Sequence, residues 1–119
     1  MANSSHKYKA ARTEAGGIAF ASKREAAVYS DLRMRERAGE ISGLTTQPPF
    51  EIMINGQPVR SLPDKRGRRG RPIKYVADFA FSEGAALRVV DVKGMDTPVS
   101  RLKRALVWHI YGVEVEVWR

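Results

Sequence analysis

Apolar and polar positions alternate along the stretch that leads from residue 73 to residue 81. Every second position there carries an apolar side chain: Ile73, Tyr75, Ala77, Phe79 and Phe81. Because successive side chains of an extended chain point to opposite faces, this pattern predicts a strand with one buried face. A second run of strand formers, from Leu87 to Lys93, follows Gly84-Ala85, so the sequence predicts a β-hairpin over residues 73–93.

The first predicted helix covers about residues 22–38. Ser22 and Glu25 have the spacing of a capping box, and Gly39 suits the position that follows a helix. Capping is therefore one interpretation of Glu25. The other is functional, because Glu25 shares a helical face with Val28, and we expect that face to pack on the sheet. The pattern leaves both interpretations open.

The rest of the pattern predicts a second helix and two more strands. Thr97 and Pro98 fit an N-cap and the first helical position, and the helix would continue to about Ile110. Its inward-facing residues are predicted to be Val99, Leu102, Leu106 and Ile110. A strand before the tight-turn pair Asn55-Gly56 and a last strand from Val113 complete the order α-β-β-β-α-β, which predicts one α/β domain.

Composition narrows the class of protein. The chain has 119 residues, no Cys, and no apolar run that approaches the roughly 20 residues needed to span a bilayer. We therefore expect a cytoplasmic protein with no disulfide, no thiolate-bound zinc and no membrane partner. Its 21 basic and 13 acidic residues give a formal charge of +8 and a pI of about 10.2. Such a surface attracts phosphate backbones, so nucleic acid is the expected partner.

Basic residues are concentrated in three places, and we expect them to contact DNA phosphates. An unpatterned, flexible arm over residues 1–17, which could equally be a solvated tail, contains Lys7, Lys9 and Arg12. A loop over residues 63–72, expected to be too flexible and too repulsive to be ordered by itself, contains Lys65, Arg66, Arg68, Arg69 and Arg71. The second helix adds Arg101, Lys103 and Arg104. Arg101 and Arg104 are predicted to face outward, whereas Lys103 lies at the border of the two faces and could reach the site or simply extend to solvent.

Two acids and a lysine interrupt the apolar pattern of the predicted hairpin. Asp91 and Lys93 share one face of their strand. With a turn about Gly84-Ala85, residue 78 pairs with residue 91, so the carboxylates of Asp78 and Asp91 become cross-strand neighbours. Like charges in that position destabilise a sheet unless a cation lies between them. The pattern therefore favours a divalent metal that is held by oxygen ligands.

These residues carry a resemblance to a known superfamily. An acid on the first helix, Asp78 on one strand, Asp91-Val92-Lys93 on the next, and then a helix and a strand resemble the PD-(D/E)XK nucleases, including archaeal Holliday-junction resolvases. A fuller pattern is similar to a family of small phage proteins of this type, and it consists of Lys7-Tyr8, residues 17–25, 44–48, 75–79 and 91–94. Ala77 stands where the superfamily name records a proline. The resemblance implies a restriction-endonuclease-like core over residues 18–119, with a mixed central sheet flanked by helices.

The resemblance also implies a metal-dependent DNA endonuclease that leaves 5′-phosphate and 3′-hydroxyl ends. Asp78, Asp91 and the Val92 carbonyl would hold Mg²⁺, for which Mn²⁺ would substitute. Lys93 would position or deprotonate the attacking water. Glu25 would bind a water of the metal or complete a second metal site. No organic cofactor is implied.

The implied substrate is branched or double-stranded DNA, in recombination or DNA processing, within a bacterial host cell if a phage encodes the chain. Resolving a four-way junction requires two symmetric cuts, which predicts a homodimer. The alternative function is that of a non-catalytic DNA-binding protein on the same fold. An RNA-binding module is disfavoured, because the chain lacks the interleaved aromatic residues of RNA-recognition folds.

Overall fold

The protein has a mixed α/β fold, and the computed structural model describes residues 13–119. The elements in chain order are β1 (Thr13–Ala15), β2 (Ile18–Phe20), α1 (Lys23–Arg37), β3 (Ser42–Thr46), β4 (Pro49–Glu51), β5 (Met53–Ile54), β6 (Gln57–Pro58), β7 (Lys74–Val76), β8 (Phe79–Glu83), β9 (Ala86–Val92), α2 (Pro98–Tyr111) and β10 (Val115–Trp118). Relative to the predicted order, the structure adds a hairpin before α1 and divides the middle of the chain into shorter strands. Within residues 13–119, no helix is long and apolar enough to cross a membrane.

A hairpin precedes the first helix. β1 pairs antiparallel with β2, so that Thr13 lies opposite Phe20 and Ala15 lies opposite Ile18. The predicted flexible arm is therefore wrong for residues 13–17, while its basic residues Lys7, Lys9 and Arg12 lie outside the described residues. Strands of three residues are too short to show a clear alternation, which explains why the pattern did not reveal them.

Both helices begin and end where their capping residues predicted. In α1, Ser22 Oγ accepts a hydrogen bond from the Glu25 N–H at 3.1 Å. In α2, Thr97 Oγ1 accepts from the Ser100 N–H at 3.1 Å. Gly112 ends α2 with a φ of 69°, a left-handed conformation that glycine adopts without steric cost.

The largest sheet has four strands in the order β10-β9-β8-β3. β10 runs parallel to β9, with Val115 opposite Val89 and Trp118 opposite Val92. β8 and β9 are joined only by Gly84-Ala85, and a connection that short permits only antiparallel pairing. The predicted mixed sheet is confirmed. The predicted turn at Asn55-Gly56 is also confirmed, because it joins the antiparallel strands β5 and β6.

The strand predicted over residues 73–81 is interrupted at Ala77 and Asp78. β7, before the interruption, pairs with β4, whereas β8, after it, belongs to the four-stranded sheet. The predicted alternation nevertheless continues through the interruption, since Tyr75, Ala77, Phe79 and Phe81 are all buried. The neighbouring segment bends as well, because Gln47 has a φ of 54° and its N–H donates to the Asp78 carbonyl at 2.8 Å. Asp78 therefore lies at a bend in the sheet.

The chain divides into two compact units. Within the described residues, the first contains 13–45 and 81–87, and the second contains 46–80 and 88–119. In the first, the rings of Phe20 and Tyr29 pack at 5.1 Å between centroids, and Leu32 is fully buried. In the second, α2 packs on the strands through a core made of Ile52, Tyr75, Ala77, Val89, Val107 and Val115.

The inward face of α2 differs from the predicted one. Leu106 and Ile110 pack against the core as predicted, but Val107 is the buried residue of the helix, and Val99 and Leu102 are each 61% exposed. The prediction is wrong for the last two. The inward face lies at a different position around the helix axis from the predicted one, because it also contains Arg104, whose side chain is only 13% exposed. Apolar periodicity does not reveal an arginine that faces inward toward a polar partner.

Candidate metal and nucleic-acid site

The bend in the sheet brings Asp78 to the segment that contains Asp91 and Lys93. The Asp78 N–H donates to the Val90 carbonyl at 3.1 Å, and its carboxylate accepts from the Val92 N–H at 2.7 Å. Interruptions of a strand re-aim the side chain at the break and are frequent beside active sites. Here the interruption directs the Asp78 carboxylate to the backbone of the residue that follows Asp91.

Asp91 is the one charged residue between residues 13 and 119 that is buried, with an exposed fraction of 3%. Its Oδ2 accepts a hydrogen bond from the Tyr75 hydroxyl and lies 3.2 Å from Lys93 Nζ. Lys93 directly follows β9, and this ion pair shows that its side chain meets that of Asp91, as the predicted shared face requires. A carboxylate in such a place requires charged or hydrogen-bonding partners, because removal from water disfavours its ionised form.

Two further residues extend this arrangement toward α2. The Arg104 guanidinium lies against the Tyr75 hydroxyl and also pairs with Asp96, with Nη1 at 3.0 Å from Oδ1. Burial raises the pKa of Tyr75 above its usual value, the hydrogen bond and charge of Asp91 raise it further, and Arg104 partly offsets the increase. The hydroxyl therefore remains a proton donor. We call this set, which consists of Asp96, Arg104, Tyr75, Asp91 and Lys93, the Asp91 network.

Tyr75 and Asp96 are site residues that sequence reasoning missed. One signal was present, because a tyrosine on a buried strand face needs a partner for its hydroxyl. That partner is 16 residues away in sequence. Arg104 was expected to face outward and contact DNA, and the predicted orientation is wrong.

Glu25 belongs to the first unit, whereas Asp78, Asp91 and Lys93 belong to the second. Its N–H is capped by Ser22, so the capping interpretation holds for the backbone of the residue. Whether its carboxylate also takes part in the chemistry stays a prediction.

The basic loop forms no helix or strand, as predicted, but local hydrogen bonds hold its backbone. Asp64 Oδ1 accepts hydrogen bonds from the N–H groups of Arg66 and Arg68, both at 2.9 Å, and its other oxygen pairs with the Arg68 guanidinium. At the base of the loop the Ser61 N–H donates to the Arg71 carbonyl at 2.9 Å. Asp64 thus supplies negative charge and acceptors inside the basic run, and the five predicted DNA-binding residues of the loop remain exposed.

Close backbone packing also shapes the loop. Gly70 lies so close to the opposite strand of the loop that a Cβ atom there would be 1.7 Å from the Ser61 carbonyl oxygen. Only glycine permits that approach.

The basic residues of α2 have three different environments. Arg101 is exposed. Lys103 Nζ donates to the Lys74 carbonyl at 3.1 Å. Arg104 is held in the Asp91 network. Of the three, only Arg101 lies on the surface as the sequence predicted.

The donor atoms around Asp78 and Asp91 fit a small hard cation. Magnesium is commonly bound through one or two carboxylates and keeps several waters, so the carboxylates of Asp78 and Asp91 are of the ligand type that it prefers. The Asp78 carboxylate accepts from the Val92 N–H. Both contacts of Asp91 fall on Oδ2. Within residues 13–119 no group of three or more His, Cys, Asp or Glu side chains is placed to hold a metal ion.

Comparison with known proteins identifies the family. The chain matches the sequence model of the family described as "Protein of unknown function (DUF1064)" over residues 5–118, and it belongs to that family. No curated protein and no solved structure matches the chain.

Proposed function

We propose that this member of the DUF1064 family is a Mg²⁺-dependent DNA endonuclease whose site is formed by Asp78, Asp91 and Lys93. The observation that carries the proposal is the buried Asp91 carboxylate, with Lys93 beside it and Asp78 held to the next backbone N–H. Ionisable groups that lose their hydration by burial inside a protein are frequent at functional sites. Two features support a restriction-endonuclease-like core as part of the proposal. One is the mixed sheet, and the other is the helix and strand that follow the segment of Asp91 and Lys93 in the chain.

The proposal assigns a role to each residue of the site. Asp78 and Asp91, with the Val92 carbonyl, hold the cation. A magnesium ion held there would supply stabilisation of the negative charge that develops on the phosphate and activation of water. Glu25 is proposed to bind a water of the metal or to complete a second site.

Lys93 is proposed to orient the nucleophile. Its ammonium has three N–H donors, and the Asp91 carboxylate occupies one direction. The remaining donors can hold the attacking water or a phosphate oxygen. The ion pair with Asp91 limits the freedom of the long side chain, which preorganises this contact.

The proposed substrate is branched or double-stranded DNA, and the proposed assembly is a homodimer. The formal charge of +8 and the exposed basic loop support a polyanionic partner. Two copies would supply the two cuts that a four-way junction needs. Light scattering with and without junction DNA tests the assembly, and a strict monomer in both samples would contradict it.

Cleavage of labelled DNA tests the function. Four-way junction, flap and linear duplex are incubated with Mg²⁺, Mn²⁺ or EDTA, and with the parent, Asp91→Asn or Lys93→Met. We expect cleavage by the parent only with metal, and a loss of at least about 100-fold in both variants with DNA binding retained. Asp31→Asn, which changes an exposed acid of α1 that is not part of the Asp91 network, is the matched control and should cut like the parent.

Two results would contradict the proposal in different ways. If Lys93→Met cuts at the parent rate, the role assigned to Lys93 is wrong. If the parent binds all three substrates but cuts none with either metal, a non-catalytic DNA-binding protein is the better interpretation.

A further inference from the structure

A groove of about 550 Å³ lies in the second unit, separate from the Asp91 network. It is lined by Pro49, Glu51, Arg71, Pro72, Lys74 and Tyr111. We call it the Tyr111 groove. The strands β4 and β7, the base of the basic loop and the last turn of α2 all contribute to it.

The ring of Tyr111 is fixed but not buried. Its hydroxyl donates to the Glu51 carbonyl at 2.7 Å, and its ring meets the Phe50 ring edge-on at 5.6 Å between centroids. The residue is nevertheless 43% exposed. An aromatic side chain that is held by two contacts and still partly open to solvent can bind another ring with little loss of conformational freedom.

Positive charge borders the same groove. Arg71 and Lys74 are both exposed, and Lys103 lies over the Lys74 carbonyl. The backbone of Arg71 is held to Ser61, which anchors this cation at the base of the loop. Glu51 adds one carboxylate, and it lies directly opposite Lys74 in the β4–β7 pair. The balance of these side chains is cationic, which favours a phosphate-bearing ligand.

We propose that the Tyr111 groove binds an unpaired segment of DNA, with a base stacked on Tyr111 and its phosphates against Arg71 and Lys74. A planar ring beside cations is the arrangement with which proteins hold single strands. The segment must be unpaired, because a base within a duplex is already stacked on its neighbours. This inference rests on the proposed nuclease function, and it names the part of a branched substrate that the protein recognises.

The placement of the groove separates recognition from the proposed chemistry. Lys74 and Tyr75 are consecutive in β7, so their side chains point to opposite faces of the strand. Lys74 lines the groove, and Tyr75 donates to Asp91. Substitutions in the groove therefore change binding of the unpaired strand without removing a residue of the Asp91 network.

Fluorescence anisotropy in EDTA tests the proposal, because no DNA is cut there. The probes are labelled oligothymidine and a duplex of equal length, titrated at several salt concentrations. Tyr111→Leu should weaken single-strand binding about 5-fold or more, leave the salt dependence unchanged and affect the duplex less. Tyr111→Phe keeps the ring and its contact with Phe50 but loses the hydrogen bond to the Glu51 carbonyl, so it should retain most of the single-strand affinity that Tyr111→Leu loses.

Lys74→Ala separates the phosphate contact from stacking. It should reduce the log–log salt slope for the single strand by about 0.7, the change expected for one lost phosphate contact. Lys23→Ala removes an equal charge from an exposed position on α1, and it should leave the slope at the parent value.

The outcomes separate this proposal from that of the nuclease. If Tyr111→Leu binds oligothymidine like the parent and Lys74→Ala does not change the slope, the groove proposal is overturned, whether or not the parent cuts DNA with Mg²⁺. If the groove variants behave as expected but the parent cuts nothing with Mg²⁺ or Mn²⁺, the groove assignment stands and the nuclease function is overturned.

Discussion

Replacing Tyr75 by Phe removes one oxygen atom from the core and leaves the ring in place. The residue is 4% exposed and packs in the cluster that includes Ile52 and Val107, so phenylalanine keeps the apolar contacts. The variant loses the hydroxyl that donates to Asp91 and lies against Arg104. The substitution therefore measures how much the Asp91 network depends on this one donor.

The expected magnitude follows from the environment of Asp91. A hydrogen bond to a charged group contributes about 1.5–3 kcal/mol to stability. Asp91 keeps Lys93 at 3.2 Å, so its charge is not left without a partner. We expect Tyr75→Phe to lower the free energy of unfolding by about 1.5–3 kcal/mol and the Tm by about 5–15 °C.

Urea and thermal unfolding followed by circular dichroism would measure this change. Tyr111→Phe is the matched control, because it removes a hydroxyl that donates to a neutral backbone carbonyl at a partly exposed site, and it should cost no more than about 1 kcal/mol. In an Asp91→Asn background, Tyr75→Phe should cost clearly less than in the parent. A loss under about 0.5 kcal/mol in the parent, with no coupling to Asp91, would refute the stabilising role of this hydrogen bond.

Two further predictions concern charged groups outside the network. Asp64→Ala removes the acceptor for two loop N–H groups, so hydrogen exchange at the amides of Arg66 and Arg68 should become about tenfold faster. Exchange in α2 should be unchanged. Unaltered exchange in the loop would mean that Asp64 does not hold the loop backbone. Two hydrogen bonds from Arg88, at 2.8 and 2.6 Å, lower the pKa of Glu116 below its usual 4.5 in the folded state. Its contribution to stability is therefore present above that value and is lost as the pH falls through the folded pKa. Glu116→Gln should show a smaller fall in unfolding free energy below about pH 4.5 than the parent, and equal acid sensitivity of the two proteins would contradict this.

Local signals in the sequence predicted the local structure. The caps Ser22 and Thr97 act through an N–H three residues away, and Asn55-Gly56 forms a turn with its immediate neighbours. These interactions involve only nearby residues, so their chemistry can be recognised without the tertiary structure. The shared face of Asp91 and Lys93 was predictable for the same reason, because it depends only on the two-residue period of a strand.

The tertiary structure decided what depends on partners that are distant in sequence. The alternation over residues 73–81 correctly identified a buried face, but the bend at Asp78 arises where the chain meets Gln47 and Val90. The local hydrogen bonds of the basic loop were not predicted, because its charge suggested repulsion, whereas the contacts of Asp64 with Arg66 and Arg68 oppose that repulsion.

The same distinction explains the candidate site. The sequence by itself identified Asp78, Asp91 and Lys93 as an unusual set of charges among strand formers. Only the docking of α2 against β7 showed that Arg104 turns inward to Tyr75, and that Tyr75 donates to Asp91. Helical periodicity reports apolar burial, and an arginine that faces inward becomes favourable only when folding supplies Asp96 and a hydroxyl as its partners.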